Sequence, residues 1–79
     1  MPSTISSQYS THQSPFLLLS EREQEVLSLM VEGHNNSEIA RQLYVSPNTI
    51  KTHVRGILNK LGVKNRIQAA ILAVRYGLV

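Results

Sequence analysis

Asn35 to Leu61 reads NNSEIARQLYVSPNTIKTHVRGILNKL, and this stretch decides the fold. Asn35 with Glu38 three residues on has the form of a capping box, in which side chains and backbone satisfy orphan donors reciprocally. Ile39, Ala40 and Leu43 follow at helical spacing. Tyr44 and Val45 make a turn. Ser46 caps the next helix, and Pro47 takes the first-turn position, where its missing N–H costs nothing. Val45 and Ile50 stand in the positions of a hydrophobic staple, which fixes the entry angle. Gly62 supplies the left-handed stop. A short helix, a tight turn and a longer helix make a helix-turn-helix arrangement.

At about 100° per residue, residues 46–62 separate into faces. Ile50, Val54, Ile57, Leu58 and Leu61 cluster on the side that must be core. Asn48, Lys51, Thr52, Arg55 and Asn59 fall in a narrow arc opposite, and Thr49, His53, Gly56 and Lys60 form a flank. An ordinary surface helix mixes Glu with Lys. This one has no acid. Its outer face offers two cations, two amides and a hydroxyl, the groups that read base edges in the major groove. Thr49, His53 and Lys60 suit phosphate oxygens, which position without specifying. The N-terminus of the shorter helix, at Asn35, Asn36 and Ser37, offers further donors to a phosphate. Gly56 weakens a helix, so it is read as permitting close approach of another backbone.

Working outward, Ser20 with Glu23 is a second capping box, opening a helix through Val26, Leu27 and Met30 that stops at Gly33. Asn65 with Gln68 opens a last helix ending near Tyr76 and Gly77. That helix has two apolar stripes. Ile67, Ala70, Ile71 and Val74 are assigned to the core; Ala69, Leu72, Ala73 and Tyr76 either widen that buried face or, the favoured reading, form a surface where two copies of the chain meet. No strand signal and no internal repeat appears, so the fold class is all-α, a four-helix domain over residues 17–79. Residues 1–16 are rich in Ser and Thr, carry Pro2 and Pro15, and have no formally charged side chain. They cannot bury enough to offset their ordering entropy and are expected to form a disordered tail. Phe16 to Leu19 is an apolar patch expected to fold back onto the domain.

Composition sets the outer bounds. The chain has 79 residues, 42% of them hydrophobic. That suffices for one small core, with little left to build a substrate cleft. There are 0 cysteines, hence no disulfide framework and no thiolate chemistry. The three histidines, His12, His34 and His53, are scattered without paired ligand spacing, so neither a metal, a cofactor nor an enzymatic activity is expected. No apolar run approaches the roughly 20 residues of a membrane span, and no signal peptide is visible. A cytoplasmic protein follows. The net charge of +3 is unevenly spread. All five acids lie at or before Glu38, balanced only by Arg22. From Arg41 onward there are seven bases and no acid, an asymmetry suited to a polyanion.

The motifs "LSEREQEVL", "NNSEIA", "VSPNTIKTHV" and "ILNKLGVKNR" stand in order between Leu19 and Arg66. Together they make the stretch from Leu19 to about Ala70 resemble the LuxR-type, or GerE-like, helix-turn-helix domain of bacterial transcription regulators. The resemblance implies a four-helix domain that binds double-stranded DNA as a homodimer; RNA polymerase is a further candidate partner, outside what the resemblance implies. It implies that Lys51, Thr52 and Arg55 face bases and that Asn36, Ser46, Thr49, His53 and Lys60 lie near the DNA backbone. It places the dimer contact on the last helix and suggests that Glu25 and Arg66 pair to tie the first helix down. Most members carry an upstream receiver or ligand-binding domain. The chain is then either a stand-alone regulator or an excised C-terminal domain; the Met1 start and the uncharged tail favour the first, so sensing by phosphorylation or acyl-lactones is not carried over.

The strongest rival is a helical protein-interaction module whose Lys51 and Arg55 dock an acidic partner, such as a polymerase subunit. A protein groove would want apolar anchors on the outer face of helix 47–61, and none is present. An RNA reader would need exposed aromatic residues for stacking, and aromatics are only 5% of the chain.

Overall fold

The computed structural model describes residues 15–77. After a 3-10 turn over Pro15–Leu18 come four helices: α1 (Glu21–Val31), α2 (Asn36–Leu43), α3 (Pro47–Leu61) and α4 (Arg66–Arg75). Among the described residues there is no strand. The all-α, four-helix architecture agrees with the sequence reading. The expected tail lies outside the described residues, apart from Pro15 and Phe16 in the 3-10 turn.

Each helix starts where local chemistry directs it. Ser20 Oγ accepts the Glu23 N–H at 3.0 Å while the Ser20 N–H donates to Glu23 Oε1 at 2.9 Å. The same reciprocal pair joins Asn35 and Glu38, both bonds at 2.9 Å. Ser46 Oγ accepts the Thr49 N–H at 3.1 Å, with Pro47 next in the chain. At α4 the box is displaced by one residue. Asn65 Oδ1 accepts the Gln68 N–H at 2.9 Å, but the Gln68 side chain takes the Lys64 N–H at 2.8 Å rather than that of Asn65.

Helix α3 is the central element. It packs against α1, α2, α4 and the 3-10 turn, while α4 also lies on α1. Val26, Leu27, Ile39, Ile50 and Ile57 are fully buried, with Met30, Ala40, Val54 and Leu61 nearly so. Each such large aliphatic contributes about 1.5–3 kcal/mol of transfer free energy. All of α3's supports attach to one side, so its opposite face is left to solvent.

One expectation about packing holds in part, since the 3-10 turn lies on α3, and a second is overturned. Of the patch from Phe16 to Leu19, Leu19 is buried, but Leu17 and Leu18 stand in solvent. On α4 the two stripes are exchanged. Ala69 and Ala73, assigned to a dimer surface, have no exposed area and lie in the core, with Leu72 packed beside them. Ile67, Ile71 and Val74, assigned to the core, are 70%, 54% and 59% exposed. Small side chains let α4 sit close on α1, which turns the larger residues outward. Tyr76 alone of the assigned dimer residues remains exposed.

Candidate nucleic-acid interface

The outer face of α3 is as the helical period requires. Asn48, Lys51, Thr52, Arg55 and Asn59 are all exposed, directly opposite Ile50, Val54, Ile57 and Leu61. Among the described residues no carboxylate lies within ion-pair distance of Lys51 or Arg55. The two cations are therefore uncompensated and project from a rigid, well-supported helix. Thr52 is partly committed, since its hydroxyl donates to the Asn48 carbonyl at 3.2 Å. The γ-methyl is the part of Thr52 left for an outside group.

The flanking residues divide by how much of each is already in use. Ser46 Oγ lies 3.0 Å from Thr49 Oγ1, so the two exposed hydroxyls form one pair at the start of α3. His53 is half-buried on the flank. Lys60 is not a free cation. Its Nζ donates to Glu23 Oε1 at 2.8 Å, tying α3 to the first turn of α1.

Among the described residues, Glu23 is the one charged residue of the core, 7% exposed. Burial by itself pushes its carboxyl upward. The hydrogen bond and charge of Lys60, with the Ser20 N–H, outweigh this and hold the carboxyl below its ordinary value. The glycine opposite now has a different explanation from the expected one. A Cβ on residue 56 would come 2.8 Å from Glu23 Oε2. Gly56 makes room for this carboxylate rather than for another backbone.

At the start of α2, Asn35 is occupied as a cap, and Ser37 is exposed beside it. Asn36 is held from α4. Arg66 Nη1 donates to Asn36 Oδ1 at 2.7 Å, and Arg66 Nη2 donates to the His34 carbonyl at 3.1 Å. The suggested Glu25–Arg66 pair does not form. Glu25 is exposed and meets Arg22 at 3.3 Å on its own helix. His34, one of the scattered histidines, is half-buried between Glu32 at 3.4 Å and Glu38 at 3.5 Å. The Glu38 carboxyl is held below its usual value, chiefly by the Asn35 N–H that it accepts.

Residues 17–73 match the family of bacterial regulatory proteins known as the luxR family, in its GerE form. The chain belongs to the LuxR family. Its members are DNA-binding transcription regulators, and the matched stretch contains the helix-turn-helix of α2 and α3. One LuxR-family relative, the transcriptional regulatory protein LnrK of Bacillus subtilis, is 54% identical over 59 residues, covering 75% of this chain and 27% of LnrK. The CsgBAC operon transcriptional regulatory protein of Escherichia coli is 44% identical over 66 residues, covering 84% of this chain and 31% of that protein. The chain thus spans under a third of the length of these relatives. Among solved LuxR-family structures, the transcription factor GerE is 36% identical with a TM-score of 0.71, covering 77% of this chain and 91% of GerE. The response regulator ChrA of a heme-sensing two-component system gives 41% identity and a TM-score of 0.72, over 77% of this chain and 30% of that one. Both solved structures are similar enough in sequence for the fold and the family to agree.

Among the described residues no helix is long and apolar enough to cross a membrane.

Proposed function

We propose that this LuxR-family domain binds double-stranded DNA in a sequence-specific manner, with α3 lying in the major groove. The observation that carries this reading is the outer face of α3, which displays two unpaired cations, two amides and a threonine methyl, with no acid and no apolar anchor. Arg55 and Lys51 suit guanine edges, Asn48 and Asn59 suit adenine, and the Thr52 methyl suits the thymine methyl. Ser46 and Thr49, with His53, sit where the groove wall would carry phosphates. Ser37 and the amide nitrogen of Asn36 offer donors to the backbone from the start of α2, with Asn35 holding that end as its cap. Lys60 contributes through the N–H groups that Glu23 does not use.

The partner copy is proposed to dock on the exposed stripe of α4. Ile67, Ile71 and Val74 follow at i, i+4 and i+7, so they form one apolar line along the helix. Val31 of α1 closes one side of an open apolar depression with Ala70, Ile71 and Val74. Two copies related by a two-fold axis would bury the stripe against itself and present two α3 helices to a paired site. Groove contact and dimer both use residues within this chain and need no attached receiver domain.

The test is fluorescence anisotropy with a duplex enriched by the protein from a random pool. Arg55→Ala and Lys51→Ala should each lose about 1–3 kcal/mol on that duplex and little on a scrambled one. Equal binding by Arg55→Ala and the unaltered chain would remove α3's outer face from the interface.

A further inference from the structure

Tyr44 is the described residue other than glycine with a positive φ, at 60° with ψ 42°. It is also 94% exposed. Both features are unfavourable for a tyrosine. The left-handed region suits Gly or Asn, because a Cβ there crowds the carbonyl. A fully solvated ring leaves its apolar surface in water. Neither is required by the fold. The turn is closed by backbone groups alone, with the Tyr44 and Val45 N–H groups both donating to the Ala40 carbonyl. Glycine or asparagine would close it with less strain. The ring therefore has its use outside the monomer.

Its surroundings indicate the partner. Tyr44 joins α2 to α3, two residues before Ser46, the cap of the helix placed in the groove. Arg41 lies three residues before it, and from Arg41 to the end of the chain there is no acid. The flanking apolar residues, Leu43 and Val45, turn inward onto the core. A protein-docking patch would need exposed apolar neighbours, and this turn has none. A neutral donor on a long arm, in a stretch of chain without acids, suits a phosphate oxygen.

We propose that Tyr44 is a DNA-backbone contact, its phenol O–H donating to a phosphate oxygen at the edge of the groove that α3 enters. This rests on the DNA-binding reading above. The contact adds affinity to every sequence alike, and a neutral phenol displaces no counterion.

The experiment uses the full chain, Tyr44→Phe and Tyr44→Asn, with Arg55→Ala as a base-reading control. Each is titrated onto the pool-enriched duplex and its scramble at several salt concentrations, and each is melted thermally. Tyr44→Phe should weaken both duplexes by the same factor, about three- to tenfold, with an unchanged salt slope. Tyr44→Asn should bind as weakly as Tyr44→Phe while melting no lower than the unaltered chain, because the turn is relieved. Unaltered affinity of Tyr44→Phe on both duplexes would overturn the proposal. If that variant then fails to bind RNA polymerase where the unaltered chain succeeds, the ring faces protein instead. Weakening on the enriched duplex alone would mean base reading and would also overturn it. If the unaltered chain binds neither duplex, the DNA reading falls first and this contact with it.

Discussion

Glu23 Oε2 occupies the place that a side chain on residue 56 would need, 2.8 Å from where a Cβ would stand. The same carboxylate closes the capping box of α1 and receives Lys60 from α3. One buried acid thus couples the first turn of α1 to α3, the helix proposed to enter the groove.

Helix propensity alone makes Gly56→Ala favourable by about 1 kcal/mol. The opposite sign is expected here. The carboxylate is held by both Ser20 and Lys60 and cannot retreat freely, so Gly56→Ala should lower stability by about 1 kcal/mol. With Glu23→Ala in place, Gly56→Ala should become stabilising. A double-mutant cycle in urea reads the coupling directly, and additive effects would show that the two positions do not interact.

Acid should expose the same element. The Glu23 carboxyl titrates lower in the folded chain than in the unfolded one. It therefore favours folding wherever it is ionised. That contribution is lost as pH falls through the ordinary carboxylate range towards the lowered folded value. Thermal melts of the parent should drop across that window, and Glu23→Gln, less stable at neutral pH, should drop by a smaller amount.

Lys60→Ala separates two roles. If Lys60 neutralised a phosphate alone, its loss would lower the salt slope of DNA binding by about one unit. Glu23 already neutralises part of that charge, so a fall of less than one unit is expected, with a lower melting temperature. An unchanged melting temperature would mean that the Glu23 contact carries no stability.

The exchanged stripes of α4 give opposite outcomes for neighbouring residues. Ile71→Glu should separate the proposed dimer by light scattering while keeping helical circular dichroism. Ala73→Glu places a charge in the core and should unfold the domain, since an unpaired buried charge costs several kcal/mol. A dimer that survives Ile71→Glu would move the interface elsewhere.

Most of the fold was legible because punctuation is local. Ser20, Asn35, Ser46 and Asn65 announce their helices within three residues, and the acid-free arc of α3 can be seen on a helical wheel. What depended on contacts between helices was not legible. Two apolar stripes on α4 look alike from sequence, and residue size misled: alanines won the core because close packing on α1 leaves no room for isoleucine. Glu23 and Lys60 stand 37 residues apart, as Arg66 and Asn36 stand 30 apart. No periodicity links such pairs. Gly56 gave a usable signal, a helix-weakening residue in mid-helix, but not the identity of what approaches it. Sequence identifies Tyr44 as a turn residue, but its near-complete exposure depends on how α2 and α3 pack.

The central claim is that α3 reads base sequence, and the most direct measurement compares two duplexes at physiological salt. One is enriched by the protein from a random pool and the other is its scramble, with affinities read by fluorescence anisotropy. The expected result is a preference of at least about a thousandfold, saturating at two chains per duplex. Equal and steeply salt-dependent binding to both would contradict the claim, leaving only phosphate attraction.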